Sequence, residues 1–219
     1  MNKVKKKSLG FVVLCVGLML AGTVMGSMYS KRSAHIKKHI SPNAFHGTLL
    51  NEPRAVAPFS MMDTNNTPFT DNNLKKQWTM MFFGFTRCGF VCPTTMAELA
   101  KMYRLLETKQ VSPLPHVMMV SIDPARDDLA QLRRYVTAFH PDFQGARGSE
   151  EMTHAMTRAL GIAYAKIAKN PDAPASEDDI EHTGAVVLFN PDGNLEAFFT
   201  TPHQAKNLAD DYQLLTQTA

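Results

Sequence analysis

The sequence predicts an α/β domain, a mixed sheet flanked by helices, behind one apolar N-terminal helix. Two continuous apolar runs, "WTMMFFGF" (78–85) and "HVMMVSID" (116–123), have the length of buried strands. After each, apolar residues recur at three- and four-residue spacing, the period of a helix packed on a sheet. Strand and helix therefore alternate, and such alternation builds a sheet covered by helices. A chain of 219 residues with 44% hydrophobic and 20% charged content suits one sizeable core.

The N-terminal forty residues differ from the rest. Lys3, Lys5, Lys6 and Lys7 precede the uncharged run "SLGFVVLCVGLMLAGTVMGSMYS" (8–30), and Lys31, Arg32, Lys37 and Lys38 follow it. A spanning helix needs roughly 17–25 apolar residues, more than the ~7–15 of a signal-peptide core. The run is read as an uncleaved anchor rather than a cleaved leader, and Cys15 as a small hydrophobe within it. The predicted organisation is a cytoplasmic basic tail at 1–7, a transmembrane anchor at 8–30, a tether at 31–52 and a folded domain at 53–219. The four lysines place the N-terminus in the cytoplasm and the domain in the periplasm of a bacterial inner membrane, with the lipid bilayer as a partner. Residues 1–40 hold eight Lys/Arg and no Asp/Glu, leaving 15 basic against 20 acidic residues, a net of −5. A folded domain of that charge excludes nucleic acid as a partner.

Within the domain, "APFSMMD" (57–63) reads as an entering strand with Asn65 and Asn66 in a turn. Trp78 to Phe85 is the first buried strand. Met96, Leu99, Tyr103 and Leu106 make Pro93 to Lys109 an amphipathic helix, with Pro93 in the first turn where its missing N–H costs nothing. "HVMMVSID" is the next strand. Leu129, Leu132, Val136 and Phe139 mark a second helix and Glu150 to Leu160 a third. "GIAYAKIA" (161–168) reads as a strand, and Lys169 to Glu181 as a polar, acidic loop. "AVVLFNPDGNLEAFF" (185–199) is a hairpin turning at Pro191-Asp192-Gly193, and Ala205 to Leu215 a closing helix. The methionine pairs 61–62, 80–81 and 118–119 are read as core filling. His203 reads as a surface residue, and His116, His140 and His154 carry no partner pattern.

Two of the three cysteines, Cys88 and Cys92, lie in "FFGFTRCGFVCPTTM" (82–96). A disulfide between them closes a loop too short to constrain much unfolded chain. If one helix carries both, their Cα atoms stand ~6 Å apart on one face, close enough for a reversible disulfide or a shared metal ion. A helix N-terminus favours the thiolate that either chemistry requires. Three residues intervene, one more than in thioredoxin-type redox pairs, and no second cysteine pair completes a four-thiolate zinc site. Two thiolates suit Cu(I), with His or Met as a third ligand. The pair falls where a buried strand hands over to a helix, the position of the thioredoxin-fold active site, so the domain is expected to be thioredoxin-like.

"FFGFTRCGFVCPTTM", "VSIDPARDD" and "EHTGAVVLFNPDGN" together resemble the Sco (SenC) family over roughly Pro58 to Leu215. The resemblance implies a membrane-anchored, thioredoxin-fold protein that binds copper and assists assembly of the dinuclear copper centre of cytochrome c oxidase. It implies one copper ion, Cu(I) and also Cu(II), held by Cys88, Cys92 and the distal His182, with Asp123 as an acidic residue near the site. The implied partners are the copper-receiving oxidase subunit and a copper donor or thiol reductant. Departures from the family pattern are Arg87 and Gly89 around the first cysteine, and Glu181 and Thr183 around the histidine. A metallochaperone rather than an enzyme is therefore expected. A thiol-disulfide reductase that uses Cys88 and Cys92 as a catalytic dithiol is the alternative, and a copper or redox sensor a further one. A peroxidase is weaker, since no residues specify a peroxide site.

Overall fold

A computed structural model of the chain describes residues 44–167 and 179–217, together with Thr23. The predicted basic tail, the anchor apart from Thr23, most of the tether and the acidic run of 169–178 lie outside the described residues. Among those described, no helix is long and apolar enough to cross a membrane.

Phe45–Gln217 forms the folded unit. Ten strands are described: β1 (Thr48–Arg54), β2 (Ser60–Asp63), β3 (Pro68–Thr70), β4 (Thr79–Gly84), β5 (His116–Ser121), β6 (Gln144–Arg147), β7 (Tyr164–Ile167), β8 (Asp179–His182), β9 (Val186–Phe189) and β10 (Leu195–Phe199). Four helices accompany them: α1 (Val91–Thr108), α2 (Leu129–Thr137), α3 (Glu150–Leu160) and α4 (Ala205–Gln217). Eight strands form one sheet in the order β1-β10-β9-β4-β5-β6-β2-β3, and β7 pairs with β8 separately. β4, β5 and β6 run parallel, whereas β9 joins β4 antiparallel, with Phe82 opposite Val186. The mixed sheet flanked by helices is the predicted architecture.

Burial explains which elements the sequence announces. Every residue of β4 is buried, as a central strand covered on both faces must be. Met80, Met81, Met118 and Met119 are fully enclosed, whereas Met62 is 39% exposed because successive residues of β2 point to opposite faces. Cys92, Met96, Leu99, Tyr103 and Leu106 form the buried stripe of α1. That helix packs on α4, and α2 packs on β6. The hairpin turns as predicted, with the Gly193 N–H donating to the Asn190 carbonyl at 2.8 Å.

Some elements depart from the sequence reading. The domain begins before Pro53: β1 pairs with β10, Thr48 opposite Phe198, and takes in residues assigned to the tether. Most of β1 is exposed, so it lacks the apolar alternation that marks a half-buried strand. Asp179, Ile180 and Glu181, assigned to an acidic loop, lie in strand β8, with Ile180 buried. The short strands β3 and β6 carry no apolar run and were not anticipated.

The chain entering the domain is tied to α4 by one carboxylate. Asp211, fully buried, accepts the N–H groups of His46 (3.0 Å) and Gly47 (2.8 Å) and lies 2.9 Å from His46 Nδ1. A hydrogen bond to a charged group contributes about 1.5–3 kcal/mol, and two part-buried N–H groups lose their acceptor when it is removed. Asp211→Ala is therefore expected to lower unfolding stability by about 3 kcal/mol in urea titration; a loss below about 0.5 kcal/mol would show that this tie does not hold the segment.

Candidate metal centre

The centre forms where β4 ends and α1 begins. Phe90 occupies the N-cap of α1, and its side chain makes no cap bond. An uncapped helix leaves N–H groups in need of acceptors. One acceptor is sulfur: the Cys92 N–H donates to Cys88 Sγ at 3.3 Å. Because α1 starts at Val91, only Cys92 is helical, and Cys88 sits in the turn before it. The premise of two cysteines on one helix face is thus corrected. Both are free thiols, Cys92 fully buried and Cys88 half-buried. The sheet fits closely beneath them, since a Cβ at Gly84 would lie 2.8 Å from Cys92 Sγ.

The two thiols are electrostatically unequal. Cys88 is held well below the usual thiol range, first by hydrogen bonding from the Cys92 thiol, with help from His182 and the N–H groups of Cys92 and Phe90 against the cost of burial. Cys92 is pushed up, first by its bond to Cys88, then by burial and the charges of Cys88 and Asp127. At neutral pH the pair is one thiolate and one thiol.

His182 arrives from β8, where it pairs with Tyr164. It is the last residue of that strand. Its Nε2 lies 3.4 Å from Cys92 Sγ and 3.7 Å from Cys88 Sγ. The three potential ligand atoms all fall within 4.8 Å of one another. The ring stands edge-on to Phe85, centroids 5.8 Å apart, with Phe82 at 6.0 Å. Gly184 N–H donates to His182 Nδ1 at 3.3 Å, so a neutral ring carries its proton on Nε2, toward the sulfurs. Gly184 has φ +63°, and a Cβ there would meet Val91 Cγ1 at 2.7 Å and Thr201 Cγ2 at 2.8 Å. Only glycine fits this turn.

Asp123 is buried, and its carboxylate pairs with Arg126. The acid bonded into the cysteine turn is Asp127. It accepts from Thr86 Oγ1 at 2.6 Å, from Ser121 Oγ at 2.7 Å and from the Thr86 N–H at 3.2 Å. Gln131 Nε2 donates to Thr86 Oγ1 at 2.5 Å. Both acids stand in "SIDPARDD", and nothing in their spacing selects the second. Tyr135 hydroxyl is buried without a hydrogen-bond partner, and burial first, then the charges of Cys92, Cys88 and Asp127, push its phenol up. Thr86, Ser121, Asp127, Gln131 and Gly184 all escape sequence reasoning, because each acts through a fold-dependent contact.

His140 also has charged neighbours: Glu107 Oε2 lies 3.8 Å from Nε2 and Asp142 Oδ2 3.9 Å from Nδ1. Its ring packs against Tyr103, centroids 4.5 Å apart, and both carboxylates face solvent. This is a core histidine with a charged rim.

Two sulfurs, one already ionised, and one imidazole make a donor set for a soft ion of low coordination number. The thiol asymmetry is directly measurable. Iodoacetamide is expected to alkylate Cys88 at a rate nearly flat between pH ~8 and ~6, with Cys92 protected until unfolding, as read by mass spectrometry. A Cys88 rate falling about tenfold per pH unit would reveal an ordinary thiol.

The SCO1/SenC family model matches residues 48–217. A relative from Stutzerimonas stutzeri is 32% identical over 158 residues, 70% of this chain and 73% of that one. The mitochondrial SCO2 homolog of Mus musculus is 32% identical over 152 residues, 69% of this chain and 58% of its own. The chain thus spans less than two thirds of the mouse protein. Among solved structures, copper-bound ScoI of Arabidopsis thaliana is 27% identical with a TM-score of 0.67, covering 75% of this chain and 99% of its own. Copper-bound ScoI of Bradyrhizobium japonicum is 26% identical with a TM-score of 0.63 over the same shares.

Proposed function

Because the chain belongs to the SCO1/SenC family, we propose that it carries one copper ion on Cys88, Cys92 and His182 and delivers it to the copper-receiving subunit of cytochrome c oxidase. The observation that carries this reading is the convergence of two sulfurs and one imidazole nitrogen within 4.8 Å. The thiolates favour Cu(I), and the imidazole adds a ligand suited to Cu(II). Loading displaces the Cys92 thiol proton, so uptake releases a proton and strengthens as pH rises; His182 Nε2 ligates with its ring proton moved to Nδ1. A three-ligand site with the Cys88 sulfur half-buried leaves the ion accessible to an incoming ligand, as release requires. The run 8–30 anchors the chain in a bacterial inner membrane with the domain on the periplasmic side, and the anionic domain meets its protein partners there. Asp123, paired with Arg126, shapes the "SIDPARD" turn behind the site.

The thiol asymmetry also supports a second reading. A half-buried thiolate beside a buried thiol is the arrangement of a dithiol reductant, in which Cys88 attacks a partner disulfide and Cys92 resolves the mixed disulfide. The electrons come from the two thiols, which end as the Cys88–Cys92 disulfide. A thiol reductant then restores the pair. The readings separate at His182, which disulfide exchange does not need.

Titration of the reduced full-length chain with Cu(I), against a competing chelator, distinguishes them. One tight equivalent is expected, weakened at least about tenfold by His182→Ala and abolished by the double change Cys88→Ser/Cys92→Ser. Weak binding indifferent to His182 would sink the chaperone reading and leave the reductase.

A further inference from the structure

Beside the metal centre lies an apolar groove that the ligands themselves do not use. Among the described residues Phe90 is the most exposed large apolar side chain, at 77% against 41% for Ile167, the next. One exposed apolar residue is ordinary on a protein surface. Phe90 is set apart by its position. It stands two residues from each cysteine, so its Cα lies within ~7 Å of the Cα atoms of Cys88 and Cys92. Phe90, Val91 and Thr94 at the start of α1, with Thr201, Pro202 and His203 from the turn between β10 and α4, line a groove of about 370 Å³.

The groove and the centre share a wall. A Cβ at Gly184 would lie 2.7 Å from Val91 Cγ1 and 2.8 Å from Thr201 Cγ2, and the Gly184 N–H is bonded to His182. On the other side of Phe90, Gly89 brings no side chain, and a Cβ there would meet nothing within 4 Å. A body approaching Cys88 therefore meets open space over the turn and Phe90 at its edge.

The lining also selects by polarity, because none of it is charged. His203, read from the sequence as a surface residue, is half-buried, and its Nε2 donates to the Gly184 carbonyl at 2.8 Å. Burial, ahead of the opposing influence of that carbonyl and of Glu98, keeps its pKa below the usual histidine range, so the ring is neutral. A charged side chain seated here would lose hydration and gain no counter-ion, whereas an apolar one gains Phe90 and Pro202. Whatever takes the ion must come within bonding distance of a sulfur beside Phe90, and so covers the groove. A lipid chain or a second copy has no such reason to be there.

We propose that this groove seats an apolar side chain of the protein that receives the ion, with Phe90 as its anchor. The proposal rests on the copper-carrier reading. Extended chain advances about 3.3 Å per residue, so the seated side chain stands two or three residues from the receiving ligand in that protein's sequence.

The test compares full-length wild type, Phe90→Ala and Phe90→Leu, none of which puts an oxygen at the cap of α1. Each is reduced, loaded with one Cu(I) and offered either bicinchoninate, a small chelator, or the soluble copper-receiving domain of an oxidase subunit. Phe90→Ala is expected to yield copper to the chelator at the wild-type rate and to the protein about tenfold more slowly, the scale of losing an aromatic anchor. Phe90→Leu, which keeps an apolar side chain, should stay near wild type. In nitrogen-15 NMR of the metal-free chain, the receiving domain should shift the amide signals of Val91, Thr94 and Thr201, more weakly in Phe90→Ala. Equal slowing toward chelator and protein, or none toward either, would overturn the proposal. So would groove signals that the receiving domain leaves unmoved, or that move with the chain's own concentration alone. Wild type that bound copper without groove shifts would end the groove proposal alone; groove shifts in a chain that bound no copper would end the copper reading alone.

Discussion

The site depends on one unmet requirement of the backbone. α1 follows a buried strand after a short turn and has phenylalanine at its cap, so its first N–H groups meet no side-chain oxygen from the cap residue. The Cys88 sulfur accepts the Cys92 N–H instead, and the positive end of the helix holds the charge that this sulfur carries. Cys92, the next sulfur along, is fully enclosed and stays protonated.

Everything around the pair holds it at short range. Gly84 lets the sheet approach the Cys92 sulfur, and Gly184 lets the His182 turn approach α1. Asp127 fastens the turn through the Thr86 N–H and hydroxyl and the Ser121 hydroxyl, and Gln131 closes the network from α2. Buried polar groups satisfied in this way define one geometry, because leaving any of them unpaired costs more than its bond contributes. The half-exposed Cys88 is where this rigid surround opens to solvent.

The sequence announces what burial and periodicity control. β4, β5, β9 and the helices stand out because their side chains are enclosed on one or both faces. Cys88 and Cys92 stand out through spacing. His182 is visible only through family resemblance, since nothing local marks a histidine ninety residues from Cys92 as its neighbour. β1 is hidden because an edge strand with exposed side chains carries no apolar alternation, and β8 because Ile180 is its one apolar residue. Asp127 is hidden beside Asp123, and which carboxylate turns toward Thr86 is decided by the path from β5 into α2. Backbone contacts such as His203 to Gly184 leave no trace in composition at all.

In the proposed function two sulfurs and one imidazole nitrogen take the same ion. X-ray absorption spectroscopy of the full-length chain loaded with one equivalent of Cu(I) tests it most directly. A shell of two sulfurs and one nitrogen is expected, with the nitrogen and its imidazole scattering lost in His182→Ala. A shell of sulfur alone in the wild type, or one unchanged by loss of His182, would contradict it.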